Sequence, residues 1–307
     1  MSMIKRIEYL EELKKWKDKD LIKVVTGIRR CGKSTLLELF IEYLKEEKID
    51  EEHIVSINLE SLEYNFSNYK DLYFYVVSKI KNDKKYYVFL DEIQNIEGFQ
   101  KAVDIYITGS NAFLLSGELA TLLTERYVEI KMLPLSFKEY VSAFSGKYNY
   151  QSLFLEYMKN GGMHGIISVL DLGINDINKY LDSIFSTVFF KDIMARNKIT
   201  DKTILENIIK FILENIVYLE LLRRGYRVYV RKVDDLKIDF VAENQGGLKY
   251  FQVSLTVRDT KVLERELRSL QRTGDHYPIY LITMDMDLSS DYDGITKINV
   301  IDWLLEK

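Results

Sequence analysis

Between the apolar run LIKVVT and the amphipathic run STLLELFIEYL, the chain reads GIRRCGKS from Gly27 to Ser34. A glycine, four residues, then Gly-Lys-Ser is a spacing that dictates strand, tight loop and helix in that order. Two glycines let the backbone curl so that successive N–H groups point inward, making a nest for an anion. A helix opening near Lys33 aims its positive dipole end at the same point. Such a nest suits the phosphates of a nucleotide. Lys33 would reach the β- and γ-phosphates, and Ser34 would place its hydroxyl on Mg²⁺. The expected cradle is therefore Gly27, Ile28, Arg29, Arg30, Cys31, Gly32, Lys33, Ser34 and Thr35, with ATP and Mg²⁺ as cofactors. Within it Cys31 reads as a small loop residue, and Arg29 and Arg30 as solvated charges.

The first half alternates short apolar runs with amphipathic stretches, the pattern of a parallel sheet flanked by helices. Strands are expected over Leu21–Thr26, His53–Leu59, Tyr86–Leu90, Ile105–Thr108 and Tyr127–Lys131. Near-continuous runs such as YYVFL suit strands covered on both faces. YYVFLDEIQ puts Asp91 and Glu92 at the C-terminal end of one strand, where ligands collect in open parallel sheets. Asp91 is expected to hold Mg²⁺ through its water shell, and Glu92 to orient or deprotonate the attacking water. The strand DIYITGSNA ends in Thr108, Ser110 and Asn111, polar side chains able to sense the γ-phosphate from the opposite side. Arg126 would supply positive charge to a neighbouring subunit's nucleotide, or pair with Glu125. After Pro134 the pattern is helical from Phe137 to about Leu222. Strands return at Tyr226–Val233, Ile238–Glu243, Tyr250–Leu255 and Pro278–Thr283, interrupted by a charged helix over Asp259–Arg272.

Composition narrows the setting. The net charge of −4 argues against a general nucleic-acid coat, and a single cysteine excludes an internal disulfide framework. The opening MSMIKRIEYLEELKKWK lacks the apolar core of a secretory signal, and no apolar run reaches the ~20 residues of a membrane span. The expected location is cytoplasmic, with no membrane partner. His53, His164 and His276 share no metal-ligand spacing and read as structural or surface residues.

GIRRCGKSTLL, LDEIQNIEGF, IYITGSNAFLLSGELATLL, MLPLSFKEY and ENIVYLELLRRGYRVYVR followed by IDF together resemble a family of archaeal and bacterial AAA-type ATPases. That family carries a C-terminal PD-(D/E)xK nuclease-like domain. The resemblance implies ATP and Mg²⁺ binding, with roles for Gly32, Lys33, Ser34, Asp91, Glu92 and Asn111 matching those above. The expected fold is α/β: a P-loop NTPase parallel sheet with helices on both faces, a helical segment, and a C-terminal restriction-endonuclease-like α/β domain. The corresponding ranges are 1–135, 136–212 (a remnant of a lid or winged-helix region) and 213–307.

The chain departs from the family pattern in three places. Only Asn95–Asp104 separates the Asp91 strand from the next one, whereas a parallel crossover wants a dozen or more residues. NIIKFILENIVYLELL runs straight from one helix into the nuclease-like domain's opening helix, where relatives place a winged-helix-like stretch. Both point to residues missing relative to the family, between 98 and 105 and between 208 and 216. Third, the nuclease-like pattern expects a helix acid, a strand aspartate and E-x-K on the next strand. The chain offers Glu214 and Asp239, then Gln252 and Ser254, so this site is expected to be catalytically dead and kept for binding.

LLRRGYRVYVRKV clusters Arg223, Arg224, Arg227, Arg231 and Lys232 with Tyr226 and Tyr229. Basic plus aromatic residues can track a nucleic-acid backbone; an edge strand guarded by charge reads equally well. The leading expectation is a Mg²⁺-dependent ATPase that moves a nuclease-like module, with DNA and further copies of the chain as candidate partners. The alternatives are a nucleotide-switched DNA- or protein-binding protein with little turnover, and an ATP-dependent DNA-processing nuclease.

Overall fold

The computed structural model describes residues 4–61, 63–64, 66, 69–91, 104–110, 127–144, 149–169, 202–233, 236–271, 276–287 and 290–306. It divides into two compact units, one of Met1–Leu135 with Met163–Ile167, the other of Ser136–Gly162 with Ser168–Lys307.

The first unit is built on five strands: β1 (Ile22–Gly27), β2 (Ile54–Asn58), β3 (Tyr87–Asp91), β4 (Asp104–Ser110) and β5 (Tyr127–Met132). Their order is β2-β3-β4-β1-β5, and every pair is parallel. Each strand end falls within two residues of the apolar run that marks it in the sequence. Alternation along the strands explains how both faces become covered. Val24, Val88, Leu90, Ile105 and Ile107 point to one face and pack with Leu72 and Val76 of α3 (Tyr69–Lys79). Val25, Phe89, Tyr106 and Ile130 point to the other, against Leu36, Phe40 and Leu44 of α2 (Lys33–Glu46) and Leu13 of α1 (Ile7–Trp16). Each fully buried aliphatic or aromatic side chain here stabilises the unit by about 1.5–3 kcal/mol. Tyr106 stacks on Phe89 at 4.8 Å and leans on Phe40 at 4.9 Å, closing that face.

At the amino edge of the sheet a buried ion pair sets β1 against β4. The Lys23 ammonium donates to an Asp104 carboxylate oxygen and, at 2.7 Å, to the Lys19 carbonyl. The second Asp104 oxygen accepts from the Asp18 N–H at 2.9 Å and from the Tyr106 hydroxyl at 3.0 Å. Burial lowers the Lys23 pKa, and Asp104 opposes that shift. Burial first, then the neighbouring Asp104 charge, pushes the Tyr106 phenol up.

The second unit holds a six-stranded mixed sheet. Helix α4 (Phe137–Ser142) starts at a capping box in which Ser136 and Glu139 satisfy each other's backbone N–H groups. Helix α5 (Tyr150–Asn160) starts at an Asn149 cap. After the long helix α6 (Lys202–Arg223) come β6 (Arg227–Val233), β7 (Leu236–Asn244) and β8 (Gly247–Ser254), an antiparallel meander. Helix α7 (Thr260–Gln271) then crosses to β9 (Ile279–Thr283), parallel to β8. The sequence pattern omits the last three elements, β10 (Ser290–Tyr292), β11 (Ile295–Asn299) and α8 (Val300–Leu305). Asp293 and Gly294 turn β10 back on β11 with φ values of 52° and 88°, the left-handed pair that a tight hairpin requires. The Asp259–Arg272 stretch is only partly the solvated face its charges suggest, because Glu266, Ser269 and Leu270 are buried.

Candidate phosphate site

Topology decides where chemistry can occur in the first unit. All five strands point the same way, so Gly27, Asp91 and Ser110 end at one carboxyl edge, with β4 lying between β1 and β3. The loop Gly27–Gly32 turns off β1 at that edge and feeds directly into α2.

Two glycines are needed there for different reasons. A β-carbon on Gly27 would lie 2.5 Å from the Met132 carbonyl oxygen and 2.8 Å from the Cys31 sulfur, closer than packed atoms approach. Gly32 has φ +99°, a left-handed conformation, and precedes the first helical residue. Arg30 also takes a positive φ, 66°. The loop thus has the alternating handedness from which backbone anion nests are made. Lys33 is 3% exposed and folds back over the loop, its ammonium donating to the Gly27 and Ile28 carbonyls, each at 3.3 Å. Ser34 and Thr35 occupy the first turn of α2, beside its positive end.

Arg29 and Arg30 are exposed, and Arg29 makes a 3.6 Å surface ion pair with Glu60. Cys31 is fully buried, and burial raises its thiol pKa against the pull of Lys33 and Arg6. Such a thiol is not poised for reaction.

Asp91 ends β3 and accepts a hydrogen bond from the Thr108 hydroxyl on β4. The structure therefore brings Asp91 to the carboxyl edge that bears the loop and gives Thr108 a specific partner. Glu92, Asn111 and Arg126 lie outside the described residues, as does nearly all of the Asn95–Asp104 crossover.

Two neighbours of the loop were not legible in the sequence. Arg6, just before α1, donates to the Cys31 carbonyl at 2.9 Å and the Leu133 carbonyl at 2.7 Å. His164, from the short 3₁₀ segment His164–Val169, stands over Gly32: a β-carbon there would meet its ring at 3.0 Å. No local spacing signals either contact, because the partners are far apart in sequence. The other histidines lack this role. His53 is buried with its ring edge against Tyr86 at 4.8 Å and within 3.7 Å of Asp50 and Glu52, and His276 is exposed.

In the second unit, Asp239 and Gln252 sit side by side on β7 and β8. The Asp239 N–H donates to the Gln252 side-chain oxygen at 3.2 Å, and the Val253 N–H donates to the Asp239 carboxylate at 3.0 Å. The Gln252 amide donates in turn to the buried Glu266 carboxylate at 2.8 Å. Ser254 donates to the Thr256 carbonyl at 3.1 Å. Glu214 pairs with Lys210 at 3.6 Å. Of the basic cluster, Arg223 and Arg224 are engaged by Glu220 at 2.6 and 2.9 Å, and Arg224 also lies 4.2 Å over the Trp303 ring. Arg227 and Tyr229 remain exposed on the edge strand β6.

A parallel sheet ending in a glycine nest, a buried lysine and an acid on a nearby strand defines a P-loop nucleotide-binding fold. A family model described as an AAA domain matches residues 19–141. An uncharacterized protein of Haemophilus influenzae is 33% identical over 403 aligned positions covering 99% of both chains. The chain belongs to the same family as that protein. The alignment is longer than this chain's 307 residues, so the Haemophilus protein carries segments absent here. An uncharacterized protein of Methanocaldococcus jannaschii is 31% identical over 203 positions, 58% of this chain and 43% of that protein. Among solved structures, the Walker-type ATPase of Pyrococcus abyssi covers 98% of this chain and 95% of its own. It is 15% identical in sequence, with a TM-score of 0.39. Among the described residues, no helix is long and apolar enough to cross a membrane.

Proposed function

We propose that the chain is a Mg²⁺-dependent ATPase whose nucleotide state drives movement of its C-terminal unit. One observation carries the reading: the loop with its buried lysine and the Thr108-tethered Asp91 share one carboxyl edge of one parallel sheet. The Lys33 ammonium donates to the Gly27 and Ile28 carbonyls, and a triphosphate in the nest would offer it a charged acceptor, a stronger partner than a neutral carbonyl. The loop N–H groups and the α2 terminus would then orient the β- and γ-phosphates. The donor set suits Mg²⁺, since Ser34 and Asp91 are hard oxygen ligands that leave room for water. When bound, the ion supplies charge neutralisation of the transferring phosphate. Asp91 is held in place by Thr108, Glu92 acts as base for the attacking water, Asn111 senses the γ-phosphate, and Arg126 serves a neighbouring copy's nucleotide.

The second unit reads as an inert PD-(D/E)xK-like module. Its support is the succession helix, three antiparallel strands, helix, parallel strand, with Asp239 and Gln252 at the matching positions. Gln252 uses its amide protons to hold Glu266, which a glutamate at 252 could not do. Ser254, where the pattern wants lysine, turns to its own backbone. The cluster satisfies itself instead of offering carboxylates to a metal. DNA contact would fall to Arg227 and Tyr229, since Arg223 and Arg224 are occupied.

The test is steady-state ATP turnover with Mg²⁺, with and without DNA, for the native chain, Lys33→Ala and Glu92→Gln. Turnover abolished by both substitutions is the expected result. Equally slow rates in native chain and Glu92→Gln, with saturable nucleotide binding, would replace hydrolysis by a nucleotide-switched binding role. Mg²⁺-dependent DNA cleavage lost in Asp239→Ala would overturn the inert reading.

A further inference from the structure

The N-terminal segment spends unusual resources on one contact. Arg6 is 1% exposed, so a permanent positive charge is buried. Its backbone is left-handed, φ 44° and ψ 48°, a strained conformation for a residue with a side chain. Its guanidinium spans two carbonyls, Cys31 in the phosphate loop and Leu133 just beyond β5. Tyr9 completes the clamp: its ring lies 4.7 Å from the guanidinium carbon, and its hydroxyl accepts the Leu133 N–H at 3.0 Å.

A trans peptide plane turns its C=O and the following N–H in opposite directions. Holding the Cys31 carbonyl outward against Arg6 therefore aims the Gly32 N–H the other way, into the nest. We infer that Arg6 is a positioning residue for nucleotide binding, fixing the Cys31–Gly32 peptide so that the Gly32 N–H faces the phosphates. Leu133 is the anchor. It follows Met132, which pairs with Gly27 in the sheet, so the guanidinium ties the last part of the loop to the strand beside its first residue. The inference rests on the nucleotide-binding reading of the loop.

Cys31 is the chain's one cysteine, so thiol labelling reports loop order without any nucleotide. The experiment combines that labelling rate with Mg·ATP calorimetry on the native full chain, Arg6→Lys and Arg6→Ala. Arg6→Ala should label at least about tenfold faster and bind Mg·ATP at least about tenfold more weakly, the scale of one lost charge-assisted hydrogen bond. Arg6→Lys keeps charge but cannot span both carbonyls, and should fall between; if Arg6→Ala does not fold, Arg6→Lys is read alone. Nucleotide affinity equal to the native chain's, whatever the melting temperature, overturns the inference and leaves Arg6 as a fold staple. If the native chain itself binds no Mg·ATP, the nucleotide reading fails. Labelling then decides the loop geometry separately, and an unchanged rate overturns that too.

Discussion

Gly32→Ala puts the loop geometry to a quantitative test. The substitution acts twice, because φ is +99° and the added β-carbon would stand 3.0 Å from two atoms of the His164 ring. Left-handed backbone costs a side-chain-bearing residue about 1–2 kcal/mol. Forcing a packed ring aside adds about 1–3 kcal/mol. The single variant should therefore lose about 2–5 kcal/mol, and the loop that distorts to relieve it should lose Mg·ATP binding. Gly32→Ala combined with His164→Ala separates the two causes. Measured against His164→Ala, the glycine replacement should cost only the backbone share, about 1–2 kcal/mol. Urea unfolding of the first unit can be followed through Trp16 in a Trp303→Phe background, since the chain has two tryptophans. A cost for Gly32→Ala that is the same with and without the ring would refute the crowding. No cost in either background would refute the left-handed loop itself.

Three further expectations follow from contacts in the first unit. Thr108→Val removes the hydroxyl that tethers Asp91, a hydrogen bond to a charged group of about 1.5–3 kcal/mol, and should raise the Mg²⁺ concentration needed for half-maximal ATP turnover. An unchanged Mg²⁺ dependence would count against the tether. Lys23→Met strands the buried Asp104 carboxylate and should cost about 3–5 kcal/mol, while Lys23→Met with Asp104→Leu recovers most of it in urea denaturation. The Asp18 carboxyl is raised by burial but carried down to about 2 overall by hydrogen bonds from Tyr87, Lys85 and Lys17. A folded value below the ordinary 3.8 means this stabilisation is complete above that value and disappears as pH falls through about 2. Acid melts should decline across that window, less steeply in Asp18→Asn.

What could be read from the residues follows from how local each signal is. GIRRCGKS carries its own loop, helix start and lysine within eight residues, so its fold context was visible at once. The central strands β1, β3 and β4 of the first unit were legible because both faces are buried, whereas the edge strands β2 and β5 alternate buried with exposed residues. Arg6 and His164 were invisible because their partners, Cys31 and Gly32, become neighbours only through the sheet. Nothing local to Lys23 signals its partner, because Asp104 reaches it only through the pairing of β1 with β4. The β10–β11 hairpin was missed although Asp293–Gly294 is a strong turn signal, because SDY and ITKIN are short and half polar. Glu266 was hidden in a helix whose charge pattern argues for solvent, and its bonds to Gln252 and Arg265 explain its burial.

The position of β1 inside its sheet also governs how the chain is made. Lys23 pairs with Tyr106 on one side and Ile22 with Tyr127 on the other, so both flanks of this early segment are synthesised much later. At translation speeds of about 5–20 residues per second, some 5–20 s pass before β5 emerges. Until then the nascent nest lacks its β5 wall and the Arg6 guanidinium has no Leu133 to grip. A ribosome stalled before Met132 should therefore display a chain that nucleotide cannot rescue from proteolysis, whereas one stalled well beyond the first unit should be protected.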